Sequence, residues 1–195
     1  MQLDVTTSTE DEIAFEVKDA NVPLLNAVRR FCMSRVPVFA IDKVTVYENG
    51  SAMFDEYIAH RIGLVPLTSP EGYKQDETVL FTLDKGGEAI VYSKALKSTD
   101  AKVAVANADI PLIPLGEGQQ LRIEGTARQG TASEHAKFQA GIVSYGKEGK
   151  TFKMFVESFG QMTAKELLVR GVEALEASLE GFQADIKKAA KEEKE

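Results

Sequence analysis

Leu168, Val172, Leu175, Leu179, Phe182 and Ile186 follow one another at spacings of four, three, four, three and four residues. This spacing places all six on one apolar stripe of an α-helix, nearly three heptads and about 30 Å long. Thr163-Ala164-Lys165-Glu166 stands just ahead as a capping box, in which the Thr hydroxyl and the Glu carboxylate each satisfy a free backbone N–H. Such a seam must lie against something. The plain reading is the core of its own chain, and the other reading is a second chain. Ala164, Gly171 and Ser178 line one flank with small side chains, which would let another backbone approach closely. A glycine inside a helix costs about 1 kcal/mol relative to alanine, so Gly171 asks for a packing reason. The charged segment from Lys187 to Glu195 is expected to fray.

The 195 residues suffice for one large domain or two small ones. Nucleic-acid binding relies on Lys and Arg to neutralise phosphates, whereas this chain carries a net charge of −7 with its cations scattered among carboxylates. It is not expected to hold DNA by itself. One cysteine, Cys32, allows no internal disulfide and no multi-cysteine zinc or iron–sulfur site, so no cofactor is expected. No apolar run approaches the roughly 20 residues of a membrane span, and Met1-Gln2-Leu3-Asp4-Val5 does not open a signal peptide. A cytoplasmic protein is the simplest expectation.

Apolar and polar residues alternate over Leu3–Thr6 and Glu12–Val17, which predicts a β-hairpin. Asn21 as N-cap and Pro23 in the first turn then open a helix whose apolar face is Leu24, Leu25, Val28, Phe31 and Cys32. Arg30 points away from that face and Arg29 sits at its edge. Pro37 prevents further helix, and Lys43–Tyr47 reads as a strand. A second helix opens near Asp55, with Phe54, Ile58, Ile62 and Val65 as its buried stripe and Gly63 as a left-handed cap. From about Thr78 to Gly146 the pattern is of short strands. Val79–Leu83 and Ala89–Tyr92 flank the turn Asp84-Lys85-Gly86-Gly87 as a hairpin, and Gln120–Glu124 and Ala136–Gln139 alternate as well. Phe152, Met154 and Val156 mark a last strand before Thr163.

Several of these segments carry a resemblance. The Arg29-Arg30 doublet, Val36-Pro37, and Asp55-Glu56 followed by Ala59-His60-Arg61-Ile62-Gly63-Leu64 and Pro66 resemble the assembly-subunit family of cellular RNA polymerases. Its members are the D-type chain of archaea, α in bacteria and their eukaryotic relatives. The middle region resembles the family's insertion domain through Ile110–Leu115, Gln120-Leu121 and Glu134-His135-Ala136-Lys137-Phe138. It departs from the family at Phe138, where Trp is expected, and at Ala140, where Pro is expected. The archaeal form fits better than bacterial α, because the chain ends in a charged helical tail and not in a linked DNA-binding domain. The single cysteine implies the form lacking the iron–sulfur domain.

The resemblance implies an α+β fold. A discontinuous dimerisation domain, a sheet with two packing helices, would be formed by residues 1–46 and 150–195. A strand-rich insertion domain would span 47–149. It further implies a non-catalytic subunit of DNA-directed RNA polymerase, a nucleotidyltransferase acting in transcription. Leu25, Val28, Phe31, Leu168, Val172, Leu175, Leu179 and Phe182 would meet a partner subunit called L. Arg29, Arg30, His60 and Arg61 would contact a large catalytic subunit. Each site has a plainer reading beside this one. Arg29 and Arg30 are ordinary solvated helix residues, Glu56 and His60 one turn apart are a surface pair, and His135 and Lys137 share a solvated strand face. No Ser or Cys nucleophile is matched to either His, and no catalytic constellation is visible. A free-standing adaptor that homodimerises through the same seam is the alternative function.

Overall fold

The computed structural model describes residues 1–74 and 76–192. In chain order the elements begin with β1 (Gln2–Ser8), β2 (Glu12–Lys18), α1 (Val22–Ser34), β3 (Val38–Asn49) and α2 (Asp55–Gly63). They continue with β4 (Thr78–Gly86), β5 (Ala89–Tyr92), β6 (Lys97–Ser98), β7 (Pro111–Leu115) and β8 (Gln120–Gly130). β9 (Gly141–Glu148), β10 (Thr151–Ser158) and α3 (Ala164–Glu192) complete the described chain. These helices and antiparallel sheets make an α+β fold.

The chain divides into two compact units, one of residues 1–36, 141–158 and 163–195, the other of 37–140 and 159–162. The first unit is therefore discontinuous. Its divisions fall earlier than the expected 46/47 and 149/150, because strand pairing sets them. β3 belongs to the second unit through its long ladder with β8, and β9 belongs to the first through its ladder with β10.

In the first unit the sheet order is β1-β2-β10-β9. Ile13, Phe15 and Val17 alternate into the core, and opposite them across the ladder stand Val156, Met154 and Phe152, all at most 7% exposed. Asn21 caps α1 as its composition predicts: its Oδ1 accepts the Leu24 N–H at 2.9 Å. Thr163 Oγ1 likewise accepts the Glu166 N–H at 3.2 Å. The backbone that the small residues of α3 admit is α1 of the same chain. A Cβ at Gly171 would stand 2.2 Å from Cys32 Sγ. α3 stays helical through Glu192, so the expected fraying does not hold up to that residue, and the last three residues lie outside the described set.

In the second unit β3, β8, β4 and β6 form one sheet, and β5 pairs with β7 in another. Phe39, Ile41, Phe81, Leu83, Leu121 and Ile123 pack with Ile58, Ile62 and Val65. Four expectations fail here. β4 and β5 are not a hairpin: β4 runs on to Gly86 in register with β8, and the chain turns at Gly87 (φ 89°) into a different sheet. Ala136–Phe138 is a 3-10 turn in place of a strand, closed by the Phe138 N–H to the His135 carbonyl. Phe54 precedes α2 and is 79% exposed, so it is no part of the buried stripe. Gly63 is not a left-handed cap. It lies in the last turn of α2, where its missing side chain faces the Ile41 carbonyl, and Leu64 at φ −87° ends the helix.

Candidate subunit interface

α3 presents two adjacent apolar faces about 70° apart. One holds Ala164 and Leu167, both fully buried, with Gly171 against Cys32. The other is the stripe read from spacing, and its exposure rises along the helix. Leu168 and Leu175 are half-buried, while Val172, Leu179, Phe182 and Ile186 are 43%, 60%, 65% and 52% exposed. Between them runs an open groove of about 530 Å³, lined by Val172, Leu175 and Leu179 with Glu176, Glu180 and Gln183 at its margin. The stripe is thus not the side with which α3 holds its own core. That role falls to Leu167, which the heptad reading passed over. Its signal was the small-large-small order of Ala164, Leu167 and Gly171 at helical spacing.

On α1 the expected interface residues divide. Leu25 is 4% exposed and belongs to the core of its own unit, which corrects its expected place at the interface: the side chain has no free surface to offer. Val28 and Phe31 are half-buried and keep part of their surface. Burial also pushes the Cys32 thiol up to about 11, so it stays protonated and unreactive at neutral pH. Arg29 folds back along α1, its Nε and Nη2 donating to Asn26 Oδ1 at 3.2 and 3.0 Å. Arg30 is exposed.

His60 and Arg61 lie on α2 in the second unit. Arg61 Nη2 donates to the Pro111 carbonyl at 2.6 Å, while its buried Nε has no hydrogen-bond partner among the described residues. Beside it a groove of about 520 Å³ runs between α2 and the Ile110–Leu112 segment. Tyr57 and Leu64 border this groove at 61% and 49% exposure, and sequence spacing had singled out neither. His60 is exposed, and a hollow of about 220 Å³ brings it, His135 and Lys137 to common walls. None of the described residues lining that hollow is Ser, Thr or Cys. His135 Nδ1 instead accepts the Lys137 N–H, as a cap of the 3-10 turn.

An ion-pair network braces the same unit. Asp42 accepts from Lys137 Nζ at 2.5 Å and from Arg128 Nε at 2.9 Å, and Arg128 also reaches Glu134 at 3.1 Å. The Lys137 and Arg128 hydrogen bonds hold the Asp42 carboxyl below its usual range. The Thr131 N–H, then Arg128, does the same for Glu134. Arg128 and Lys137 also lie near the Phe138 ring, 4.9 and 5.2 Å from its centroid. Phe138 is seated against Gly130, where any Cβ would come within 2.7 Å of the ring. Among the described residues no three His, Cys, Asp or Glu side chains are grouped as a metal ion would require, and no helix is long and apolar enough to cross a membrane.

The sequence matches known proteins over most of its length. The sequence model of the RNA polymerase Rpb3/RpoA insert domain matches residues 43–145, just over half of the chain. The DNA-directed RNA polymerase subunit Rpo3 of Methanocaldococcus jannaschii is 41% identical over 177 residues, covering 90% of this chain and 91% of that protein. Rpo3 of Methanobrevibacter smithii is 41% identical over 76% of this chain, and that of Thermococcus kodakarensis 46% over 69%. The matched part spans only 58% and 55% of those two longer relatives. The chain belongs to the Rpo3, or D-type, family of archaeal DNA-directed RNA polymerase subunits.

Proposed function

We propose that this chain is a non-catalytic assembly subunit that forms a heterodimer with a subunit of the L type. The pair then serves as the platform on which the large catalytic subunits assemble for transcription. One observation carries the reading: the distal half of α3 exposes Leu179, Phe182 and Ile186 on a single face. A monomer gains nothing from such a stripe, since exposed apolar surface of this extent promotes association. Each Leu, Ile or Phe fully buried there contributes roughly 1.5–3 kcal/mol, so several half-exposed side chains together suffice for a lasting pair. Leu168, Val172 and Leu175 continue the stripe towards Val28 and Phe31 of α1. Arg29, Arg30, His60 and Arg61 are the proposed contacts to a large subunit, for which the guanidinium fork suits pairing with carboxylates and carbonyls. No metal or cofactor is assigned to the chain. DNA is held by other subunits, and the site of action is the cytoplasm.

The test is the native mass of the chain, alone and co-expressed with a subunit L homologue. A one-to-one heterodimer that is lost on Val172→Asp with Leu179→Asp is the expected result. A homodimer that ignores subunit L would overturn the reading in favour of a free-standing adaptor.

A further inference from the structure

β4 turns its odd-numbered side chains inward. Val79, Phe81 and Leu83 are at most 4% exposed, and Lys85 continues the same row, opposite the fully buried Leu121 of β8. Lys85 is nonetheless exposed, because the interior opens there into a hollow of about 450 Å³ bordered by the end of β4 and the length of β5. Two open strand edges meet this hollow. β6 pairs with β4 at Phe81 and Thr82, so from Leu83 to Gly86 that edge of β4 has no neighbouring strand among the described residues. β5 has β7 on one edge and, among the described residues, no strand on the other. An open edge carries a row of backbone N–H and C=O groups that an extended chain can satisfy. Apolar surface to hold such a chain is present as well: Val91 and Leu115 are buried in the walls, and Ile90 is 53% exposed.

Charge decides which chain fits. The protein has 30 acidic and 23 basic side chains, yet the described residues lining this hollow include Lys85, Lys94 and Lys97 and no carboxylate. Asp109 pairs with Lys94 at 3.2 Å from outside the lining. Lys85 and Lys97 have no carboxylate partner among the described residues. Two copies meeting at this edge would set like charges against each other, which disfavours a second copy. A nucleic-acid strand would suit the lysines but has no groups with which to complete a strand ladder. Tyr92, the one aromatic ring among the described lining residues, already has Lys94 Nζ over it at 5.2 Å, which leaves no free platform for a base. We infer that this hollow docks an extended acidic segment of another protein, which adds as a strand along β5 with its carboxylates reaching the lysines. β5 has four residues, so the ladder is about 13 Å long. The site belongs wholly to the second unit and needs no pairing with subunit L.

The test adds a peptide of alternating glutamate and valine, about eight residues and so long enough to span β5, to the isotope-labelled full chain. The amide resonances of Leu83–Gly86 and Ala89–Tyr92 are expected to shift as it binds. Lys85→Glu with Lys97→Glu changes exposed side chains and should weaken binding at least tenfold without lowering the melting temperature. Methylating the backbone nitrogens of the peptide removes its N–H donors while its charge and the protein stay the same, and should abolish binding. Equal binding of the methylated peptide would mean charge attraction alone and would overturn the inference. So would the absence of any shift at millimolar peptide. A short thymidine oligonucleotide that moves the same resonances, with the peptide leaving them in place, would overturn it in favour of a nucleic-acid site.

Discussion

Gly171 and Gly181 lie on the same helix under opposite constraints. At Gly171 a methyl group would meet Cys32 Sγ at 2.2 Å and Cys32 Cα at 2.9 Å, so α1 and α3 must separate to admit it. At Gly181 nothing lies within 4 Å. Gly171→Ala should therefore destabilise the free chain by about 1–3 kcal/mol through overpacking. Gly181→Ala should stabilise it by up to about 1 kcal/mol through helix propensity alone. Urea unfolding of the two variants separates the cases. The same contact shields Cys32, whose thiol burial raises to about 11. A thiol reagent at pH 8 should label the native chain only at the rate at which it opens, and the denatured chain at once. The spacing of small residues showed that α3 is closely approached. It did not show by what, because the partner, Cys32, is remote in sequence.

At the scale of elements, α3 is two helices in function. Its first turns anchor the fold through Leu167, and its distal half faces solvent. Leu167→Ala should cost about 2–5 kcal/mol in urea unfolding, as for other large-to-small changes in cores. Leu179→Ala, at a site 60% exposed, should stay within about 0.5 kcal/mol in the free chain and still weaken the proposed heterodimer. The caps, α1, the first hairpin and the strand at Phe152 were legible because each is set by neighbours in sequence: Asn21 bonds Leu24, and Thr163 bonds Glu166. The β4–β5 hairpin was misread because its register is decided by β8, far downstream in the chain. The turn at Ala136–Phe138 was misread because so short an alternation does not distinguish a strand from a 3-10 turn seated on Gly130. On the interface, spacing found the exposed stripe. It wrongly added Leu25, since which part of a wide apolar face is covered depends on the packing of other elements.

For the whole molecule, electrostatics and association give two further expectations. Asp42 and Glu134 both have folded-state values below the ordinary carboxylate range. Their contribution is thus present in full above about pH 4–5 and is lost as pH falls through the depressed values. Stability measured against pH should decline below about pH 4, and Asp42→Asn should flatten that decline. Association should carry the mark of apolar burial, a negative heat-capacity change on titrating the partner calorimetrically. It should also raise the melting temperature, by about 2.7 kcal/mol of added stability when the free partner is at a hundred times the Kd.

The interruption of the first unit has a consequence for synthesis. β2 cannot meet β10 until residues 151–158 have left the ribosome, while the whole of 37–140 lies between. At roughly 5–20 residues per second the first hairpin and α1 wait on the order of 5–20 s, while the second unit has all but four of its residues in hand. During that interval β2 has β1 beside it on one edge and no strand on the other, and Ile13, Phe15 and Val17 have no α3 above them. The nascent chain is then most exposed to chaperones and to wrong partners. It closes only as β10 arrives together with α3, the helix whose distal half faces solvent.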